Sequence, residues 1–146
     1  MSIESELFRI KKWYQDNWPL CVFCNHRVDG GTLAHLIRRS ESIRLQTIKL
    51  NTGLAHFECH EIFDNKPGEA ICLPRFFEVM YVIWLLDPQY YSRILPIYSG
   101  YDFDLHAVEK LSLDHHGELL LMHFPTDSSS EEAVILLHSK HPILQD

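Results

Sequence analysis

Apolar positions recur at helical spacing first in residues 3 to 14, where Ile3, Leu7, Ile10 and Tyr14 fall on one face; Ser2 is placed to cap the N-terminus, and acids occupy the first turn. The pattern predicts an amphipathic helix there. Between Trp18 and Asn65 the periodicity breaks into short apolar pieces around Pro19, Gly30-Gly31 and Gly53, which predicts a loop-rich segment with short strands and too little apolar burial to fold unaided. Pro74 stands in the first turn of a second helix running to Leu86, where Asp87-Pro88 stops it. Its apolar residues nearly encircle the axis, so it is expected either to be buried against residues 3 to 14 or to offer a docking face to a partner or a second copy of the chain. Further on, Leu111-Ser112-Leu113, Glu118 to Phe124 and Ala133 to His138 read as three short strands, with His115-His116-Gly117 and Asp127-Ser128-Ser129-Ser130 as turns. The fold class expected is α+β with a small C-terminal antiparallel sheet. Residues 1–72 would form one module and 73–146 an acidic helix-plus-sheet extension packed on it.

Composition changes the picture through charge. The 146 residues carry 13 Lys+Arg against 20 Asp+Glu, a net charge of -7, which is the wrong sign for a nucleic-acid binder. Segment by segment, residues 1 to 20 are balanced, 21 to 66 stand at +1 and 67 to 146 at -8. The acidity belongs to the second half, while Arg38, Arg39, Arg44 and Lys49 cluster in the loop-rich segment. Alternating charge in MSIESELFRIKKW leaves no apolar signal core, so a cytoplasmic protein is expected. The most apolar run, Phe76 to Leu86, is far short of the ~20 residues of a spanning helix, so no membrane role is expected.

The loop-rich segment also holds the candidate staple. Cys21-Val22-Phe23-Cys24 presents two thiolates from one tight turn, and His56-Phe57-Glu58-Cys59 repeats the two-residue spacing downstream with an imidazole in place of the first thiolate. Two such knuckles make a Cys3His set suited to tetrahedral zinc, and four protein ligands leave no open position, so the zinc would be structural. His26 and Cys72 are rival fourth ligands; the plain reading of Cys72 is a small buried residue. A redox role for Cys21 and Cys24 would need a helix to follow, whereas Asn25 to Gly31 reads as turn.

Beside the knuckles stand His35 in Leu33-Ala34-His35-Leu36-Ile37-Arg38-Arg39-Ser40, Asn51 in Asn51-Thr52-Gly53-Leu54, and His60 directly after Cys59. Over residues 18 to 68 this order of His, Asn and His resembles the zinc-containing HNH endonuclease family. The resemblance implies a zinc-stapled ββα-metal core in which a hairpin carries His35, a loop Asn51 and a short helix His60. It implies hydrolysis of DNA phosphodiesters: His35 as general base, His60 holding a catalytic Mg2+ or Mn2+, and Asn51 as a second ligand or the group that orients His35. Arg38 and Arg39 could hold the phosphate. Family members commonly carry a metal-ligating Asp or His where this chain has Ala34; Asp64, Glu61 or water would have to substitute. The alternative expectation is a catalytically impaired HNH-like zinc scaffold, recognising a protein through the acidic half. Each residue taken singly has a plain reading: a core histidine at 35, a turn asparagine at 51, a solvated helix histidine at 60.

Overall fold

In the computed structural model, which describes residues 2–102, 104, 107 and 108, helix α1 spans Ile3–Asn17. Ser2 Oγ accepts the Ser5 N–H at 3.1 Å, satisfying one of the donors that a helix start leaves open. Glu4 and Glu6 sit in the first turn, at the positive end of the helix dipole. Leu7, Ile10 and Tyr14 form the buried face, as the spacing predicts. The Tyr14 hydroxyl also reaches the carbonyls of Lys49 and Thr52 at 2.9 and 3.0 Å, tying α1 to the start of a distant strand.

That strand, β2 (Thr52–Ala55), pairs antiparallel with β1 (Thr32–His35) in the register Thr32↔Ala55 to His35↔Thr52. Residues 36–51 connect them and end in a 3-10 turn, Lys49–Asn51. The hairpin is pressed against the first cysteine knuckle. Val22 N–H donates to the Leu54 carbonyl at 2.8 Å, and a Cβ at Gly53 would lie 2.7 Å from that of Val22, so only glycine lets the backbones approach this closely. Helix α2 (Phe57–Asn65) follows β2 at once, and α3 (Pro67–Ala70) begins with proline at its first position.

Helix α4 (Phe76–Leu86) begins two residues later than Pro74 and has nine of its eleven residues buried. It packs on α5 (Pro88–Ile94) and on the 3-10 turn Lys49–Asn51. Val82 and Ile83 are completely buried. The helix expected either to be buried or to offer a docking face is thus enclosed by its own chain, packed on α5 where residues 3 to 14 were expected, each large apolar side chain contributing about 1.5–3 kcal/mol of burial. Arg75, just before it, donates its backbone N–H to the Phe23 carbonyl at 2.9 Å and Nη1 to Asn25 Oδ1 at 3.3 Å, which stitches α4 to the knuckle.

Asp87 does more than stop α4. Its Oδ1 accepts the Tyr90 N–H at 3.1 Å, and Pro88 fills the first position of α5, so the pair that ends one helix starts the next. Sequence reasoning missed α5 and the 3-10 turn Leu95–Tyr98 behind it. Aromatic rings link the layers: Phe23 on Phe63 (4.8 Å between centroids), Phe63 on Phe76 (6.3 Å) and Phe76 on Tyr98 (5.1 Å).

The described residues therefore form an α+β structure of five α-helices and one two-stranded antiparallel sheet. One cluster of buried residues runs from Leu7 to Val108, across the expected boundary at 72/73. The strands expected over 111–113, 118–124 and 133–138 lie outside the described residues. Among the described residues no helix is long and apolar enough to cross a membrane.

Candidate metal centre and histidine pair

The first knuckle is a tight hairpin. Leu20 bridges Arg27, Cys21 N–H donates to the His26 carbonyl, Asn25 N–H donates to the Cys21 carbonyl, both at 2.8 Å, and Asn25 takes the left-handed conformation (φ 65°) that asparagine tolerates. The chain turns back here instead of entering a helix, so the redox setting is not met. The second knuckle is the head of α2, with His56 at the cap and Cys59 in the first turn.

The ligand atoms of Cys21, Cys24, His56 and Cys59 all lie within 4.8 Å of one another, so the group could hold a metal ion such as zinc. His56 Nδ1 stands 3.4 Å from Cys24 Sγ and 3.8 Å from Cys59 Sγ. Tetrahedral zinc, with bonds of about 2.3 Å to sulfur and about 2.0 Å to nitrogen, places adjacent sulfur and nitrogen donors ~3.5 Å apart. His56 Nε2 donates to the Arg27 carbonyl at 2.9 Å, which leaves the lone pair on Nδ1, facing the thiols.

The thiols are electrostatically unequal. Burial works against the Cys21 thiolate, yet backbone N–H groups of His56, Cys24 and Phe23 hold its pKa below the ordinary value. Cys59 is pushed up to about 12, first by burial and then by the charges of Cys21 and Cys24. Three thiolates this close repel one another, and a cation among them removes that cost. Neither rival ligand joins the group. His26 is exposed and contributes only its backbone. Cys72, read as buried, is exposed, with Sγ directed at the Gly68 carbonyl 3.8 Å away; the turn after α3 carries it to the surface.

His35 ends β1 opposite Thr52. Its Nε2 donates to the Gln46 carbonyl at 2.8 Å, so the neutral ring carries its lone pair on Nδ1. Burial lowers its pKa, the Gln46 carbonyl works the other way, and Arg39 and His60 add to the lowering. His60 lies on α2, in the turn directly after Cys59. His60 Nε2 stands 3.0 Å from Asp64 Oδ2, one helical turn on, and its ring stacks beside Phe23.

Asn51 is brought to the same region, where its side chain is spent on backbone groups. Completely buried, it accepts the Ile37 N–H on Oδ1 at 2.8 Å and donates from Nδ2 to the carbonyls of Ile37 and Leu45, each at 3.1 Å. Its own carbonyl accepts the Leu36 N–H at 2.9 Å. An amide so engaged cannot turn to ligate a cation without leaving buried backbone groups unsatisfied. Asn51 instead clamps the connection just after His35 and just before Gln46, the two ends of the His35 hydrogen bond.

The two arginines expected to share a phosphate diverge. Arg38 Nη2 donates to the Asp64 carbonyl at 3.0 Å, whereas Arg39 reaches Gln46 Oε1 at 3.3 Å and Glu4 at 3.0 Å. Ala34 pairs with Gly53 and is wholly buried, so it brings no donor. Asp64 occupies the neighbourhood of His60 instead, and the four-residue spacing on a helix is the signal that places it there. The Gln46 carbonyl has no such signal, because a backbone acceptor is anonymous in sequence.

No family model, curated protein or solved structure matches this chain, so its chemistry has to be read from these side chains.

Proposed function

We propose that the chain is a metal-dependent endonuclease of HNH type that hydrolyses DNA phosphodiester bonds, built on a structural zinc held by Cys21, Cys24, His56 and Cys59. The observation that carries this reading is the hairpin-then-helix placement of His35, at the end of β1, and His60, on α2 one residue beyond a cluster able to hold zinc. The resemblance of residues 18 to 68 to HNH nucleases points the same way.

His35 is the general base. Its Nδ1 lone pair is defined by the Gln46 hydrogen bond, and its lowered pKa keeps it neutral and able to accept a proton from the attacking water near neutral pH. Asn51 positions it by holding the backbone on either side of that bond. His60 and Asp64 would hold Mg2+ or Mn2+: their 3.0 Å separation equals the ~3.0 Å edge between neighbouring ligands of an octahedral ion with bonds of about 2.1 Å. A divalent cation held by His60 and Asp64 would supply positive charge to offset the negative charge that develops during phosphodiester hydrolysis.

Ala34 supports a second reading, a zinc scaffold without chemistry that binds a protein, since the chain lacks one ligand usual in the family. Plasmid nicking with Mg2+ or Mn2+ separates the two. We expect His35→Ala and His60→Ala each to lower nicking by about 10²–10⁴-fold while zinc content stays at wild-type level. Nicking that survives both substitutions overturns the assignment, and a wild type that never nicks yet binds a protein stoichiometrically favours the scaffold.

A further inference from the structure

A cleft of about 370 Å³ opens beside Asp64, between the segment following β1, the end of α2, and α5 with the 3-10 turn behind it. Its chemistry is divided. Phe63, Tyr90 and Tyr98 line it with aromatic surface, while Arg38 and Arg93 bring two guanidinium groups and Glu41 and Asp64 two carboxylates. Arg93 Nη2 contacts Glu41 at 3.2 Å with both side chains exposed, 65% and 39%, a pair weak enough for an incoming anion to displace. Tyr98 is only 5% exposed, and among the described residues its hydroxyl makes no hydrogen bond. Tyr98 lines the cleft together with Asp64, Arg38 and Tyr90.

We propose that this cleft takes one nucleotide of the DNA strand, unstacked next to the scissile phosphate, with its phosphate on Arg38 and Arg93 and its base against Tyr90 and Tyr98. The assignment of the strand rests on the nuclease reading above. The volume lies near the lower end of the ~300–1,000 Å³ of small-ligand sites, room for one nucleotide and far too little for a duplex. Arginine forks match phosphate oxygens, the largely buried rings of Tyr90 and Tyr98 give the base an apolar wall, and a nucleotide drawn out of the helix exposes the edge donors that Glu41 and the Tyr98 hydroxyl can meet. The two carboxylates offset the arginines, so a bare phosphate gains little here and the base must add to the binding.

The test uses the full zinc-loaded chain without divalent cation, titrated by calorimetry or NMR with the four deoxynucleoside 5′-monophosphates, the matching nucleosides and inorganic phosphate. The monophosphates are expected to bind about tenfold more tightly than either component. Arg93→Ala, at an exposed position, should weaken them about tenfold, and Tyr98→Phe about threefold, both with unchanged zinc content and circular dichroism. In nicking, Arg93→Ala should raise KM and spare kcat. Phosphate binding as tightly as nucleotide, or nucleotide affinity and KM indifferent to Arg93→Ala, overturns the cleft assignment even where the wild type nicks DNA. Nucleotide binding that depends on Arg93 in a chain that never nicks upholds the cleft and removes the hydrolysis.

Discussion

The metal centre and the histidine pair use the same device to different ends. In each, an imidazole gives its Nε2 proton to a backbone carbonyl, His56 to Arg27 at 2.9 Å and His35 to Gln46 at 2.8 Å, and presents Nδ1 to whatever lies in front. In front of His56 stand three thiols, which close a four-donor shell. His35 keeps its lone pair on Nδ1, which in the proposed nuclease meets water and substrate. A closed shell stabilises a fold, and an open one serves a reaction. The two centres meet in α2, where consecutive residues Cys59 and His60 belong one to each.

Removing the metal is the most forceful way to break the comparison. Chelation, or Cys59→Ala, should abolish cooperative melting of the β1-β2-α2 region, since zinc contributes on the order of 10 kcal/mol to such small modules; an unchanged thermal transition with zinc gone would show that the apolar core suffices. At the open centre the effect should fall mainly on rate, so the nicking losses expected for His35→Ala and His60→Ala should come with only a modest fall in melting temperature.

Asn51→Ala lies between these extremes. It leaves the Ile37 N–H and two carbonyls unsatisfied in the interior, and a destabilisation of about 3 kcal/mol is expected in urea unfolding, with zinc retained. A loss under 1 kcal/mol would mean that water or a shifted loop replaces the amide.

pH sharpens the contrast further. His35 has a folded pKa below the unfolded value of about 6.5, so the unfolded chain takes up the proton first as pH falls. The stability His35 contributes is complete above that value and declines as pH drops from there toward its folded pKa. His35→Gln should flatten this part of the stability profile; an unaltered profile would place the sensitivity elsewhere. The smallest effect is expected of Arg39→Ala. Its ion pair with Glu4 is exposed and worth about 0–1 kcal/mol, but removing the positive charge should raise the His35 pKa, read by NMR titration of the ring.

Much of this was legible locally. The Ser2 cap, the buried face of α1 and the quartet of knuckle residues follow from spacing of a few residues, and such spacing dictates geometry wherever the chain runs. Asn51 was legible as a candidate while its partners were not, because those of a buried amide, here Ile37 and Leu45, depend on a loop that no periodicity describes. Arg38 and Arg39 looked equivalent as neighbours, yet one follows α2 and the other α1. Cys72 looked like core and is surface, since whether a short turn faces in or out depends on what packs over it.

By itself the sequence determined that the chain can gather two thiol-bearing knuckles around one point and set a histidine directly behind them, because two-residue spacing closes a turn irrespective of context. Only the tertiary structure decided which nitrogen of His35 is free, that Arg38 reaches the Asp64 carbonyl, and that Asn51 clamps backbone. Those outcomes depend on carbonyls and packing contacts between segments far apart in the chain, and each buried polar group had to find its partner there.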